Sequence, residues 1–312
     1  MKSTNNSVTS AIGNTPLVEL KNIVPPNAAR IVAKMESANP TGSMKDRMAK
    51  AVIAGAERKG LIKKGSTVIE YTAGTTGVSL AFVCASLGYQ FHAVFSDAFS
   101  NEKRVTMKAF GSEITDVMSD NKKITATLIK EMIETARKLS AQENHWWADQ
   151  LNNHDAQTGY YPLGDEIWEQ TKGQVDAFVH VVSTVHSIHG VTKALWKHDE
   201  NIKIFAVEPE ESAVLSGRPS GSHKIEGIGI GFIPPLWQPE MVNEILTVST
   251  EEAMSMARRL AKEEGIFAGT STGANIVAAL RVAERLGPGK TVATIIVDSG
   301  LRYVSTALYQ SL

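Results

Sequence analysis

The sequence predicts an α/β protein of two lobes, each an open, mostly parallel sheet with helices on both faces. Three observations predict it. Strand-like and helix-like segments alternate along nearly the whole chain, a pattern that builds parallel sheets covered by helices. The alternation runs through the first half and begins again in the second. Finally, 312 residues exceed the size at which one core keeps growing, so two lobes are expected.

In the first half the strands are "RIVAKM" (30–35), "STVIEY" (66–71), "FHAVF" (91–95) and "EITDV" (113–117). Between them, helical patterns begin at Asp46, Thr76 and Glu102 and end at Gly60, Gly88 and Gly111, where glycine suits a helix C-terminus. In the second half the strands are "AFVHVV" (177–182), "KIFAVEP" (203–209) and "TVATIIVD" (291–298). Helices are predicted over 188–198, 250–264 and 274–286, the second opened by a capping box from Ser249 to Glu252.

Composition narrows the function classes. Lys plus Arg number 32 and Asp plus Glu 33, so the net charge of −1 gives no reason to expect a nucleic acid or an acidic membrane as partner. No apolar run approaches the roughly 20 residues that span a bilayer. The start, "MKSTNNSVTSAIG", lacks the apolar segment of a signal peptide. Cys84 is the single cysteine and lies in the apolar stretch "SLAFVCASLG", so it reads as a buried thiol rather than a nucleophile. A reducing, cytoplasmic setting is expected.

In open parallel sheets ligands bind where strands hand over to helices, and four such junctions stand out. In "NPTGSMKDRMAK", Lys45 sits at the start of a helix, where the dipole disfavours a cation. A surface lysine is one reading; a lysine engaged as a Schiff base with a carbonyl cofactor is the other. In "YTAGTTGVSLAF", Thr72, Thr75 and Thr76 surround Gly74 ahead of a helix. Hydroxyls and free N–H groups there form an anion seat, although simple capping explains one of the three threonines. In "VVSTVHSIHG", three hydroxyls (Ser183, Thr184 and Ser187) and two histidines follow a strand, and in "GTSTGANIVAAL" Ser271 sits between two glycines. A metal site is a poor reading of the histidines, because no acidic partner is near. Two anion seats, a lysine and a glycine-flanked serine suggest a phosphorylated carbonyl cofactor and a carboxylate substrate.

Taken together, these stretches resemble the cysteine synthase (O-acetylserine sulfhydrylase) and cystathionine β-synthase family of pyridoxal-phosphate enzymes. "IGNTPLVEL" (12–20), "NPTGSMKDR", "QLNN" (150–153), "EGIGIGFIPPL" (226–236), "GTSTGA" and "VDSGLRYVSTALY" (297–309) fall in that family's order. The resemblance implies the tryptophan synthase β-like architecture (fold type II). It implies a lobe of residues 1–148, with 1–40 crossing to the other lobe and 40–148 forming a mobile substrate-binding part, and a lobe of residues 149–312 that holds the cofactor phosphate. Lys45 matches the lysine that carries pyridoxal 5'-phosphate. Thr72, Ala73, Thr75 and Thr76 match the loop that grips the substrate carboxylate, with Thr75 also reaching the cofactor, and Gln150 helps hold that carboxylate. Ser183, Thr184, Val185, His186 and Ser187 match the phosphate cup, and Ser271 matches the serine at the pyridine nitrogen. The family's activity would be β-replacement on an O-activated L-serine, O-acetylserine plus sulfide giving cysteine, by a homodimer to which an acetyltransferase C-terminal tail can bind.

The chain departs from that family at informative places. All three glycines of the cup are replaced, and Val185, being β-branched, is expected to resist a positive φ. Either the loop takes another path or cofactor binding is weakened. His186 is expected to stand near the phosphate and add charge. Ala73 lacks the usual hydroxyl, and Thr75 replaces an asparagine. These changes leave open another leaving group or nucleophile (O-phosphoserine, or the formation of cystathionine or another β-substituted alanine), with Arg218, His223 and Lys224 candidates to meet a phosphate leaving group. They also leave open a non-catalytic regulatory protein on the same fold.

Overall fold

The computed structural model describes residues 7–310; the first six residues, part of the polar start considered above, lie outside them. In chain order the strands are β1 (Leu17–Leu20), β2 (Arg30–Met35), β3 (Thr67–Tyr71), β4 (Gln90–Phe95), β5 (Glu113–Asp116), β6 (His145–Trp147), β7 (Ala177–Val181), β8 (Lys203–Pro209), β9 (Glu244–Val248) and β10 (Thr291–Ile296). The helices are α1 (Lys45–Arg58), α2 (Thr75–Leu87), α3 (Asn101–Ala109), α4 (Ala126–Ser140), α5 (Asp155–Thr158), α6 (Tyr161–Gln170), α7 (His186–Trp196), α8 (Thr250–Arg259), α9 (Thr270–Leu286) and α10 (Ala307–Gln310). Two sheets result. The larger has the order β1-β2-β10-β7-β8-β9 and is parallel except for the β1–β2 pair. The smaller, β5-β4-β3-β6, is parallel throughout. The chain's first two strands therefore sit in the larger sheet, beside its last.

The central strands explain themselves. Every residue of β7 and β10 is buried, as expected of parallel strands covered on both sides, which read as continuous apolar runs. Gly60, Gly88 and Gly111, the predicted helix stops, all adopt the left-handed conformation. The capping box of Ser249 and Glu252 is formed. Cys84 is buried, and burial pushes its thiol pKa well up. No helix among the described residues is long and apolar enough to cross a membrane.

The differences lie at boundaries and in polar segments. The helices carrying the junction residues start earlier than expected: α1 at Lys45, α7 at His186 and α9 at Thr270, so Ser271 lies inside the first helical turn. Residues 260–264 leave α8 as a π-helical turn. The helix α4 was not predicted, although Leu128, Ile129, Met132 and Ala136 form a buried stripe at helical spacing behind the capping Thr125.

An ion cluster ties α1 to the larger lobe. Arg47 donates to Glu36 from Nε (2.7 Å) and Nη2 (2.9 Å), and to Glu166 of α6 from Nη1 (2.8 Å) and Nη2 (2.7 Å). Lys34 of β2 reaches Glu166 at 2.8 Å. Burial alone would raise the Glu166 pKa, but Arg47 and Lys34 hold it down to about 2. Glu36 and Lys34 are fully buried. Removing one member of such a set strands the others without compensation. Arg47→Met is therefore expected to destabilise the fold by about 3–5 kcal/mol, read from chaotrope unfolding of the purified protein. A loss below about 1 kcal/mol, the level of exposed pairs, would show that the cluster does not anchor α1.

Candidate active site

Three helix N-termini and one lysine converge. Thr76 Oγ1 donates to Gln150 Oε1 (3.0 Å), and His186 Nε2 contacts the Gln150 carbonyl (2.7 Å), which joins the start of α2 to the start of α7. His180 of β7 meets Ser187 on α7 and Asn275 on α9. The Met44 N–H donates to the Val297 carbonyl, and Val297 N–H donates to Thr272 Oγ1, so Lys45 and the start of α9 are held to the same strand end.

Lys45 is buried; its backbone N–H donates to Ser43 Oγ (3.2 Å), while its Nζ makes no hydrogen bond or ion pair among the described residues. Burial lowers its pKa to about 8, with buried Asp298 pulling the other way. An amine in that state is a nucleophile near neutral pH. Asp298 was not singled out from the sequence. Its Oδ2 accepts from Tyr303 (2.7 Å), its Oδ1 has no partner among the described residues, and burial raises its pKa.

At α2, Thr72 Oγ1 accepts the N–H groups of both Gly74 and Gly77, each at 2.9 Å. Both lone pairs are then used, and the hydroxyl proton remains to donate outward. Gly74 has φ +113°, and a Cβ there would collide with Lys103. The N–H groups of Ala73, Thr75 and Thr76 find no acceptor among the described residues, so this turn suits a carboxylate. Ala73 and Thr75 are half-buried beside it. Gln150 is committed within the protein: besides accepting from Thr76, its Nε2 donates to the Tyr71 carbonyl (2.8 Å), leaving one N–H for a ligand.

At α7, no backbone N–H from Ser183 to Ile188 finds an acceptor among the described residues. Thr184 and Ser187 are buried there, and Ser183 is half-buried. The expectation about Val185 needs correction: it takes φ +64° and ψ −20° at the N-cap, so the loop keeps the left-handed turn without a glycine. Such strain is on the order of 1–3 kcal/mol; burial of the Val185 side chain in the core opposes it. The surroundings of His186 give no support to the charge expected of it. Its ring is buried, its Nε2 is turned to Gln150, and burial holds its pKa down to about 4, so it is neutral there. His223 is likewise no phosphate receptor. Its Nδ1 accepts from Ile225 N–H (3.3 Å), so Nε2 donates to the Gly229 carbonyl (2.9 Å). Arg218 is exposed, whereas Lys224 lines the cleft.

The Ser271 hydroxyl, buried in the first turn of α9, makes no hydrogen bond to described residues. A free amine, a row of unused N–H donors at a helix start and an unengaged hydroxyl are the three contacts that a pyridoxal phosphate needs for its aldehyde, phosphate and ring nitrogen, and the residues present fit it. Over the site, Lys103 of α3 crosses between lobes to pair with Glu226 and stacks 4.5 Å above the Tyr303 ring. A cleft of about 820 Å³ opens beside them, lined by Phe95, Phe99, Arg104, Lys224 and Tyr303 among others. Lys103 and Glu226 were missed in the sequence because they pair across 123 residues, which no local pattern records.

Comparison with known proteins agrees with this geometry. The pyridoxal-phosphate dependent enzyme family matches residues 8–298. A cysteine synthase of Staphylococcus aureus is 43% identical over 305 residues, covering 97% of this chain and 96% of that protein. Among solved structures, cysteine synthase from Entamoeba histolytica superimposes with a TM-score of 0.89 at 38% identity, over 99% of this chain and 92% of that one. O-acetylserine dependent cystathionine β-synthase from Helicobacter pylori gives 0.91 at 34% identity, over 97% of this chain and 98% of that one. The chain belongs to the pyridoxal-phosphate-dependent enzymes, in the group that includes the cysteine synthases.

Proposed function

We propose that the protein makes L-cysteine by β-replacement, taking O-acetyl-L-serine as donor and sulfide as nucleophile. The observation that carries this reading is Lys45: a buried amine with a pKa near 8 and no side-chain partner among the described residues, held through Met44 and Val297 to the start of α9. Kinship with the cysteine synthases supports the choice of donor and nucleophile. Bound pyridoxal phosphate supplies an electron sink that acidifies the Cα–H of an attached amino acid and lets a β-substituent leave. Lys45 holds the cofactor and, once released, is the base for the α-proton. The Thr72 hydroxyl and the N–H groups of Ala73, Thr75 and Thr76 at the start of α2 hold the substrate carboxylate, with the remaining Gln150 N–H behind them, its Oε1 held by the Thr76 hydroxyl, and the Ala73 and Thr75 side chains shaping the rim. Thr184, Ser187 and the N–H groups from Ser183 through Val185 to Ile188 hold the phosphate. Ser271 faces the ring nitrogen as a neutral partner. Residues 40–148 form a part that closes on the substrate and excludes water. The protein works as a cytoplasmic homodimer, and an acetyltransferase C-terminal tail is the partner expected at the cleft.

A second reading keeps the same site and replaces sulfide by a thiol amino acid. The volume of the cleft beside Glu226 and Tyr303, about 820 Å³, favours it. Assays with O-acetylserine, O-phosphoserine and serine against sulfide and homocysteine decide. Cysteine formation from O-acetylserine and sulfide as the fastest reaction is expected; faster formation of cystathionine would replace the first reading by the second, and no turnover of any pair would remove both.

Cofactor loading has a pH signature. Burial lowers the Lys45 pKa from 10.5 to about 8, so the reactive neutral amine appears as pH rises through 8. The rate at which apoprotein captures pyridoxal phosphate is expected to climb with a midpoint near 8, and borohydride is expected to fix the label on Lys45. A climb only above about 10, as for a free lysine, or a label on another lysine would exclude this role.

Thr72→Ala removes the acceptor of two N–H groups together with the outward hydroxyl. It is expected to raise KM for the donor amino acid at least tenfold, about 1.4 kcal/mol, while Thr72→Ser stays near wild type. Unchanged KM in the alanine variant would place the carboxylate elsewhere.

A further inference from the structure

The hydrogen-bond directions behind the start of α7 can be worked out from one backbone donor. Asn275 Oδ1 lies 2.8 Å from the backbone nitrogen of Val181, which can only donate. The Asn275 Oδ1 is therefore the acceptor, and its Nδ2 must donate. It does so to the Ile295 carbonyl (2.8 Å) and to His180 Nδ1 (3.3 Å). His180 Nδ1 is then an acceptor, and the single proton of a neutral imidazole lies on Nε2. That Nε2 sits 2.9 Å from Ser187 Oγ. Nε2–H donates, Ser187 Oγ accepts, and the proton of Ser187 is excluded from the bond. It finds no other acceptor among the described residues and belongs to the same helix start as the unused N–H groups. His180 and Asn275 are fully buried, and a histidine in the middle of the wholly buried strand β7 is the sequence signal of a polar group with an assignment. Burial first, and the Lys45 charge second, hold the His180 pKa down to about 3, so the ring stays neutral.

We propose that His180, oriented by Asn275, is a positioning residue that makes Ser187 an obligate hydrogen-bond donor to a dianionic phosphate monoester, the phosphate of the cofactor. The inference rests on the reading that the start of α7 holds that phosphate. A dianion accepts and cannot donate, so a hydroxyl barred from turning inward is matched to it. With His186 neutral and His180 neutral, the cup is built of N–H and O–H donors instead of charges.

The test measures affinity rather than turnover. Full-length apoprotein is titrated with pyridoxal phosphate and with pyridoxal, for wild type, His180→Phe, Ser187→Ala and the double variant. His180→Phe and Ser187→Ala are each expected to weaken pyridoxal phosphate about ten- to hundredfold and to leave pyridoxal unmoved. The double variant is expected to be no weaker than Ser187→Ala, because His180 acts only through Ser187. Wild-type affinity in His180→Phe, or additive losses in the double variant, overturns the proposal. Nitrogen NMR of the histidine rings gives a second readout that needs no variant: His180 must carry its proton on Nε2, and a proton on Nδ1 or on both nitrogens overturns it. Wild-type protein that binds pyridoxal as tightly as pyridoxal phosphate would instead remove the phosphate seat itself, an outcome seen before any variant is made.

Discussion

Everything at the site hangs from the way α1 is anchored. Lys45 is the first residue of that helix, and Arg47, two residues on, is clamped between Glu36 and Glu166. Asp46 accepts from both the backbone and the hydroxyl of Thr41, at 2.8 Å and 2.6 Å, and Arg302 donates to Thr41 in turn. Three consecutive residues thus divide the labour: the side chains of two are tied into the fold by hydrogen bonds and ion pairs, and the side chain before them is left without a partner among the described residues. A buried lysine without a counter-ion is costly. It persists here because its neighbours on either side of the chain leave it nowhere else to go.

The same economy of partners runs through the helix starts. Side chains take up some backbone donors, as Thr72 does for Gly74 and Gly77, and leave adjacent ones bare. A helix start with every N–H satisfied would be a cap and nothing more. At α2 and α7 the unsatisfied donors lie beside hydroxyls, those of Thr72 and Ser187, whose protons have no inward acceptor among the described residues, so each start offers a set of donors of one sign of polarity. Lys103, Glu226 and Tyr303 close over this region from both lobes, with the lysine stem lying where any side chain at Gly74 would stand.

Much of this was legible in the sequence because apolar periodicity and helix-start chemistry are local. The strand Arg30–Met35 and the capping box at Ser249 are written in contiguous residues, and so is the lysine after "NPTGSM". What was not legible depends on pairs far apart in the chain. His186 reads as a cation beside an anion seat until Gln150, 36 residues earlier, is seen to occupy its Nε2. His180 reads as one letter in an apolar strand until Asn275, 95 residues later, is seen to fix its tautomer. The Lys103–Glu226 pair spans 123 residues and leaves no periodic trace.

Val185 carries a consequence of its own. A glycine-rich loop surrenders more conformational freedom than any other when it is ordered around a ligand. Here the left-handed turn is enforced by a β-branched side chain buried in the core, so the loop is shaped by folding, before any ligand arrives. The entropy of ordering is then borne by the folded chain rather than by ligand capture. A loop shaped in this way is rigid: as the phosphate seat proposed above it would gain in readiness what it loses in tolerance, with little means of adjusting to an anion whose oxygens are spaced differently.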